Sequence, residues 1–268
     1  MTAIPPTDAI FEPGTLPATY WSVSGETAEL VAGGVPQEIH LGLYVNGRDL
    51  ATLMCSPVEQ EALALGFLFN EGVIQSYADV GLVRRNVSGT AVDVFLKTGD
   101  FTTPRRLVLT SGCGGGVSFQ TVTDDHPPLE TGFTTTPQTL LDRMRDLNAT
   151  ARLYRQVRGI HTSVLADSDS VLFTAEDVGR HNTIDKLMGK ALLAGISPRD
   201  RMLVTSGRIS SEMLLKARRM GVPLVASRTA PTSISVQMAA AWNICVVGYL
   251  RQGSMRVYTC PGRLGVGG

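Results

Sequence analysis

MLVTSGRISSEMLLKARRMGVPLVASR, running from Met202 to Arg228, decides the fold. Met202–Thr205 is a short apolar run that Ser206-Gly207-Arg208 interrupts. Ile209–Met220 then repeats its apolar residues at helical spacing, Gly221 closes the helix, and Leu224–Ala226 is a second buried run. A strand, a helix and a strand in that order form a crossover whose strands lie parallel. The same alternation extends both ways. Upstream come a helix at Thr139–Tyr154, strands at Thr162–Ala166 and Val171–Thr174, and a helix from Asn182 to Ala194 ending at Gly195. Downstream come a helix at Ser233–Trp242, a strand at Ile244–Leu250, a turn at Gln252-Gly253 and a strand at Arg256–Thr259. The C-terminal half is therefore expected to be an α/β layer.

The N-terminal half reads as a smaller α+β unit. Ile39–Val45 and Asp49–Met54 flank Asn46-Gly47, a strong hairpin turn. Ser56-Pro57-Val58-Glu59 has the form of a capping box with proline at the first helical position, and the helix carries Leu63, Phe67 and Leu68 inward before ending near Glu71-Gly72. Strands are expected at Val80–Val87, Ala91–Lys97 and Leu107–Thr110. Asp124-Asp125-His126-Pro127-Pro128 reads as a linker. The organisation expected is a flexible arm over 1–16, an α+β domain over 17–126 and an α/β domain over 127–268.

Composition bounds the function. Of 268 residues, 43% are hydrophobic and 18% charged, which is enough apolar material for a substantial core. The start lacks the basic and apolar regions of a signal peptide, and the apolar run Val236–Leu250 is too short to cross a bilayer. Four cysteines with no pairing framework fit a reducing compartment, so a cytoplasmic protein is expected. The net charge of zero hides a split. Residues 1–175 hold 11 Lys/Arg against 19 Asp/Glu, and residues 176–268 hold 13 against 5. The basic third suits an anionic partner, or it balances its acidic neighbour within one fold.

Two features carry chemistry. Cys113 sits in Thr110-Ser111-Gly112-Cys113-Gly114-Gly115-Gly116, where glycines strip away side-chain cover. That is either a reachable reactive thiol or a tight turn with a bystander cysteine. No Gly-Lys-Ser/Thr follows, so a triphosphate loop is not supported. The second feature is three loops at the carboxyl ends of the later strands, where α/β sheets bind ligands. They are Ser206-Gly207-Arg208, Ser227-Arg228-Thr229 with its continuation to Ser233, and Arg251-Gln252-Gly253-Ser254. Each joins an arginine to hydroxyl residues or glycine, and two precede helix starts, so an anion site is expected there. Glu176-Asp177-Val178-Gly179-Arg180-His181-Asn182 is densely polar. Asp177 with His181 there either tunes a proton acceptor or caps a helix.

Glu176 through Lys186 resembles the signature of the FdhD/NarQ family. So do Ser206-Gly207-Arg208-Ile209-Ser210-Ser211-Glu212-Met213 and Ala230-Pro231-Thr232-Ser233. Val45-Asn46-Gly47, the Pro57–Gly72 helix, Gly159-Ile160-His161 and the Gly248–Tyr258 hairpin match as well, so that the resemblance spans about residues 37–264. It implies a cytidine-deaminase-like three-layer domain and a sulfur-carrier accessory protein for formate dehydrogenase. On this resemblance a cysteine desulfurase supplies sulfane sulfur as a persulfide on Cys113. The sulfur passes to a molybdenum bis-pterin guanine dinucleotide cofactor, and the protein is a homodimer. The cofactor-binding segment falls on Tyr249-Leu250-Arg251-Gln252-Gly253-Ser254, with Ser206, Gly207, Arg208, Ser227, Arg228 and Thr229 as further phosphate (GDP or GMP moiety) contacts and His161, Asp177, Arg180 and His181 in support. The chain has no His-x-Glu with Pro-Cys-x-x-Cys, so neither zinc nor deamination is expected. No nucleic-acid or membrane partner is expected either.

One departure stands out. Many family members carry a second cysteine three positions after the first, and here that position is Gly116. Cys245 reads as buried, while Cys55 and Cys260 are weak substitutes. Two other readings stay open: a chaperone that binds the cofactor without moving sulfur, and a hydrolase pairing Cys113 with His161 or His181.

Overall fold

The computed structural model describes residues 10–99, 108–109, 117–118, 126–251 and 253–267. The strands and helices are β1 (Thr15–Ser24), β2 (Thr27–Pro36), β3 (Ile39–Val45), β4 (Arg48–Cys55), α1 (Gln60–Asn70), β5 (Val80–Arg85), β6 (Ala91–Leu96), β7 (Val108–Leu109), β8 (Val117–Ser118), α2 (Pro137–Thr150) and α3 (Arg152–Val157). After them come β9 (His161–Ala166), β10 (Val171–Asp177), α4 (Arg180–Ala194), β11 (Met202–Thr205), α5 (Ser211–Met220), β12 (Leu224–Ser227), α6 (Ser233–Ala241), β13 (Cys245–Arg251) and β14 (Ser254–Val257).

The apolar runs of the C-terminal half build a six-stranded sheet in the order β10-β9-β11-β12-β13-β14. Its middle three strands, β11, β12 and β13, are parallel, and the flanking pairs are antiparallel. Successive side chains point to opposite faces. Val164, Val204, Ala226 and Val247 therefore meet Leu140, Met144 and Leu147 of α2. Leu165, Leu203, Val225 and Val246 meet α4, α5 and α6 through Ile184, Met213 and Met238. Helices on both faces explain why these strands read as unbroken hydrophobic runs. The result is a mixed α/β protein with a three-layer half.

The smaller sheet has the order β4-β3-β6-β5 and rests on α1. Leu41, Leu43, Val92 and Val94 pack against Leu63, Phe67 and Leu68. Asn46 and Gly47 take positive φ values of 53° and 74°, as the hairpin turn requires. A separate ribbon, β1 with β2, lies outside both sheets and begins at Thr15, inside the stretch expected to be an arm.

Three local expectations are corrected. Ser56 caps no helix: its amide donates to Asp177 and its hydroxyl accepts from the Val178 amide, so α1 starts at Gln60 behind a left-handed Glu59. The helix expected at Thr139–Tyr154 breaks at Ala151, because the Glu176 carboxylate draws in the amides of Leu153 and Tyr154 at 3.0 Å and starts a new helix. The strand expected over Val171–Thr174 runs on through Glu176 and Asp177 as β10.

The two halves are joined where α1 crosses α4. Gly66 and Gly189 face each other's helix so closely that a Cβ on Gly66 would overlap the Asp185 carbonyl, and one on Gly189 would overlap that of Ala62. Two buried ion pairs flank the crossing. Lys216 Nζ lies 2.6 Å from both oxygens of Asp185, which also accepts from Asn70. Lys186 Nζ lies 2.6 Å from Asp177, both side chains fully buried.

An exposed helical glycine gains stability when changed to alanine. Gly66→Ala and Gly189→Ala should instead destabilise by about 1–3 kcal/mol or more, because the methyl group has no room. Urea unfolding checks this, and a rise in stability in either variant would rule out the close crossing.

Candidate functional site

Two cavities open at the carboxyl ends of β11, β12 and β13, where the arginine loops lie. A cavity of about 350 Å³ is lined by His161, Ser206, Arg228 and Thr229 together with Asn148 and Tyr154. A second, of about 570 Å³, is lined by Arg228, Leu250, Arg251 and Gly253 together with Arg145 and Asn148. Arg228 and Asn148 border both, so the two cavities adjoin and together make up a recess. Because β9 runs antiparallel to β11, its first residue, His161, reaches the same end of the sheet. Asn148, Arg145 and Tyr154 were not foreseen. They lie on the polar side of α2 and α3, and only docking of those helices brings them to the groove.

The loops are tied to one another. Ser227 Oγ donates to the Gly207 carbonyl at 2.6 Å, the Arg228 amide donates to Thr205 O, and the Thr229 amide donates to Ser227 Oγ. Ser227 is thus buried scaffolding rather than a groove wall. Gly207 serves close packing: a Cβ there would stand 2.9 Å from Arg180 Cβ and 3.4 Å from His161 Nδ1. The helix starts behave differently from expectation. Ser210 Oγ accepts the Met213 amide of α5, and Thr232 Oγ1 accepts the Ser235 amide of α6. One amide of each helix start is thus taken by its own cap, and the formal positive charge at these loops comes from the arginine side chains. Arg208, Arg228 and Arg251 are exposed, but Arg208 lines neither cavity. Gln252 lies outside the described residues.

The dense polar segment is a clasp. Asp177 accepts from the Ser56 amide, the Gly179 amide, Asn182 Nδ2 and Lys186 Nζ, which occupies both of its oxygens. It makes no pair with His181. That imidazole Nε2 lies 3.0 Å from Glu212 and from Ser210 Oγ instead. Burial depresses the pKa of His181, against the pull of Glu212, and burial followed by the Arg180 charge depresses that of His161. Both rings are therefore held toward the neutral form. Arg180 is buried at the start of α4, beside Gly207.

The thiols sort cleanly. Cys55 is fully buried and its pKa is pushed up to about 12 by burial and then by Asp177. Cys245 is likewise buried and pushed up to about 12. Cys260 is half-buried against Asn243, and burial raises its pKa as well. None of the three is a ready thiolate. Cys113 and Gly116 lie outside the described residues. Among the described residues no group of three or more His, Cys, Asp or Glu is placed to hold a metal ion, and no helix is long and apolar enough to cross a membrane.

Fold and groove define a mixed α/β protein with two main sheets and an arginine-bordered recess beside the parallel strands. The FdhD/NarQ family model matches residues 36–265, and the chain belongs to that family. A protein named sulfur carrier protein FdhD from Bacillus subtilis is 37% identical over 85% of this chain and 88% of its own length. One of the same name from Staphylococcus haemolyticus is 36% identical over the same shares. A crystal structure from Desulfotalea psychrophila, provisionally assigned as a formate dehydrogenase accessory protein, superposes with a TM-score of 0.80. The match covers 94% of this chain and 100% of that one at 23% identity, a likeness of fold.

Removing the countercharge from a buried lysine is costly, so Asp177→Asn should lower stability by about 3–5 kcal/mol. A loss within error of zero in urea unfolding would show that the clasp contributes nothing. The histidines set a pH dependence. Their folded pKa values lie below the unfolded 6.5, so the unfolded chain binds more protons as pH falls. Stability should be kept above about pH 6.5 and decline below it, and the decline should be shallower in His161→Gln. Equal slopes for both proteins between pH 7.5 and 5.5 would contradict this.

Proposed function

We propose that this protein is a sulfur carrier serving formate dehydrogenase. A desulfurase persulfide gives its terminal sulfur to the Cys113 thiolate. The donor's S–S bond breaks, its own thiolate leaves and a new S–S bond forms on Cys113, with no net oxidation. The client is a molybdenum bis-pterin guanine dinucleotide, bound as substrate through its phosphates. One observation carries this reading: the recess bordered by Arg145, Arg228 and Arg251, open at the strand ends, in a chain whose described thiols are all held protonated. Arginine forks suit pyrophosphate, and elimination of the other thiols leaves the glycine-flanked Cys113.

The family resemblance adds a cytidine-deaminase-like fold for the three-layer half and a homodimer, and the cysteine usage adds a cytoplasmic setting. The ribbon of β1 and β2 offers the apolar surface that a second copy needs, with Trp21 59% and Val23 69% exposed. Gly116 favours a second reading, a chaperone that holds the cofactor without carrying sulfur, because a local Cys-x-x-Cys relay is impossible here.

Incubation with a cysteine desulfurase and labelled cysteine, followed by intact mass, should show one added sulfur atom that is absent from Cys113→Ala. No adduct on a protein that still binds GDP would favour the chaperone. Arg228→Ala and Arg251→Ala should each weaken GDP binding by ~1–3 kcal/mol, the loss of a charge-assisted contact. Unchanged titrations for both would remove the anion site.

A further inference from the structure

We propose that Arg256, carried on the ring of Tyr249, is a further phosphate-contacting residue at the rim of the recess. The inference rests on the guanine-nucleotide reading above and adds a residue outside the segments expected to contact the cofactor.

It begins with a strained backbone. Tyr249 has φ 52°, a left-handed value that a bulky side chain rarely takes. The pairing of β13 with β14 slips between Gly248 and Arg251, which marks a bulge at this point. Two contacts hold the bulge in place. The Tyr249 amide donates to Thr229 O at 2.9 Å. Gly248 fits so tightly that a Cβ would stand 2.9 Å from Pro231 and 3.0 Å from Thr229 O. The bulge is therefore fastened to the same loop that supplies Arg228 to the recess. Backbone strain kept this firmly by its surroundings is the kind found at working sites.

The bulge determines where the ring goes. Arg256 pairs with Gly248 across the hairpin, and its guanidinium carbon lies 4.2 Å from the Tyr249 ring centroid. Arg251, which lines the 570 Å³ cavity, lies 5.9 Å from the same centroid. One ring thus links a cavity arginine to an arginine outside the cavity. Both are exposed, and neither forms an ion pair among the described residues. A cation on an aromatic face is held in orientation while its N–H groups stay available. Two guanidinium groups beside one ring, with no carboxylate between them, repel each other until an anion arrives. With guanidinium carbons 5.9 and 4.2 Å from one centroid, a diphosphate bound here would engage Arg251 with one phosphate and Arg256 with the next. A bare nucleoside engages neither.

Calorimetric titration of the full chain with GDP, GMP and guanosine at low salt tests this. Arg256→Ala should weaken GDP about three- to tenfold, a loss discounted for an exposed charge, and leave guanosine unchanged. Added KCl should narrow the gap between wild type and variant. Tyr249→Leu should lose GDP affinity in the same way, and the double variant Tyr249→Leu/Arg256→Ala should lose little more than either alone, since both break one unit. Arg256→Lys should fall between wild type and alanine. Matching urea midpoints for wild type and Arg256→Ala establish that the fold is intact. Superimposable GDP isotherms for wild type and Arg256→Ala would overturn the inference. If Arg228→Ala weakens GDP and Arg256→Ala does not, the nucleotide reading survives and this residue is excluded. If the wild-type protein binds no GDP, both fall together.

Discussion

The structure depends on one close crossing, α1 over α4, at which two glycines let the backbones of the two halves touch. Nothing larger than hydrogen fits at Gly66 or Gly189, so the helices pack backbone to backbone rather than through side chains. That intimacy brings polar groups into the core. Asp177, Asp185, Lys186 and Lys216 are all buried around the crossing, and each charge finds its opposite within 2.6 Å. Such pairs add little net stability over apolar packing, yet they punish any other register, because a displaced helix strands a buried charge. The crossing thereby selects one relative placement of the small sheet and the large one.

That placement explains the dense polar segment around residue 177. Its carboxylates and amides read on paper as a reaction centre. In the fold, Glu176 starts α3 and Asp177 fastens the segment after β4 to the start of α4. The groups that border the recess come from elsewhere: arginines at the ends of parallel strands and polar residues of α2. Chemistry and architecture are separated along the chain. The clasp holds still what the groove needs held still.

The groove itself is rich in arginine. Ser210 and Thr232 each take up one helix-start amide, so guanidinium forks are the main charged groups that an anion there would meet. Those forks are flat and bidentate, and they suit diphosphate geometry. Cys55 and Cys245 are shielded by burial, and Cys260 is half-buried with its pKa raised, so none of the three is a ready thiolate. The chain belongs to the FdhD/NarQ family, and relatives of it are named sulfur carriers.

Much of this was legible in order. The runs at 162–166, 202–205, 224–226 and 244–250 declared buried strands, because a sheet covered on both faces must be apolar at every position. Asn46-Gly47 declared its hairpin, because that pair has few alternatives, and Arg228 and Arg251 declared where positive charge borders the groove. The ribbon at 15–36 escaped notice, since it joins neither sheet and has no core face to set a clean alternation. Ser56 and the break at Ala151 escaped for a different reason. Each had a sound local reading that a carboxylate more than twenty residues away outbid. The amino-acid sequence by itself determined which segments are buried, which turns are tight and where positive charge collects, for these follow from side chains and their near neighbours. Only the tertiary structure decided what Asp177 is for, which arginines share a ring and which helix closes the groove, because those outcomes depend on contacts between segments that no local preference encodes.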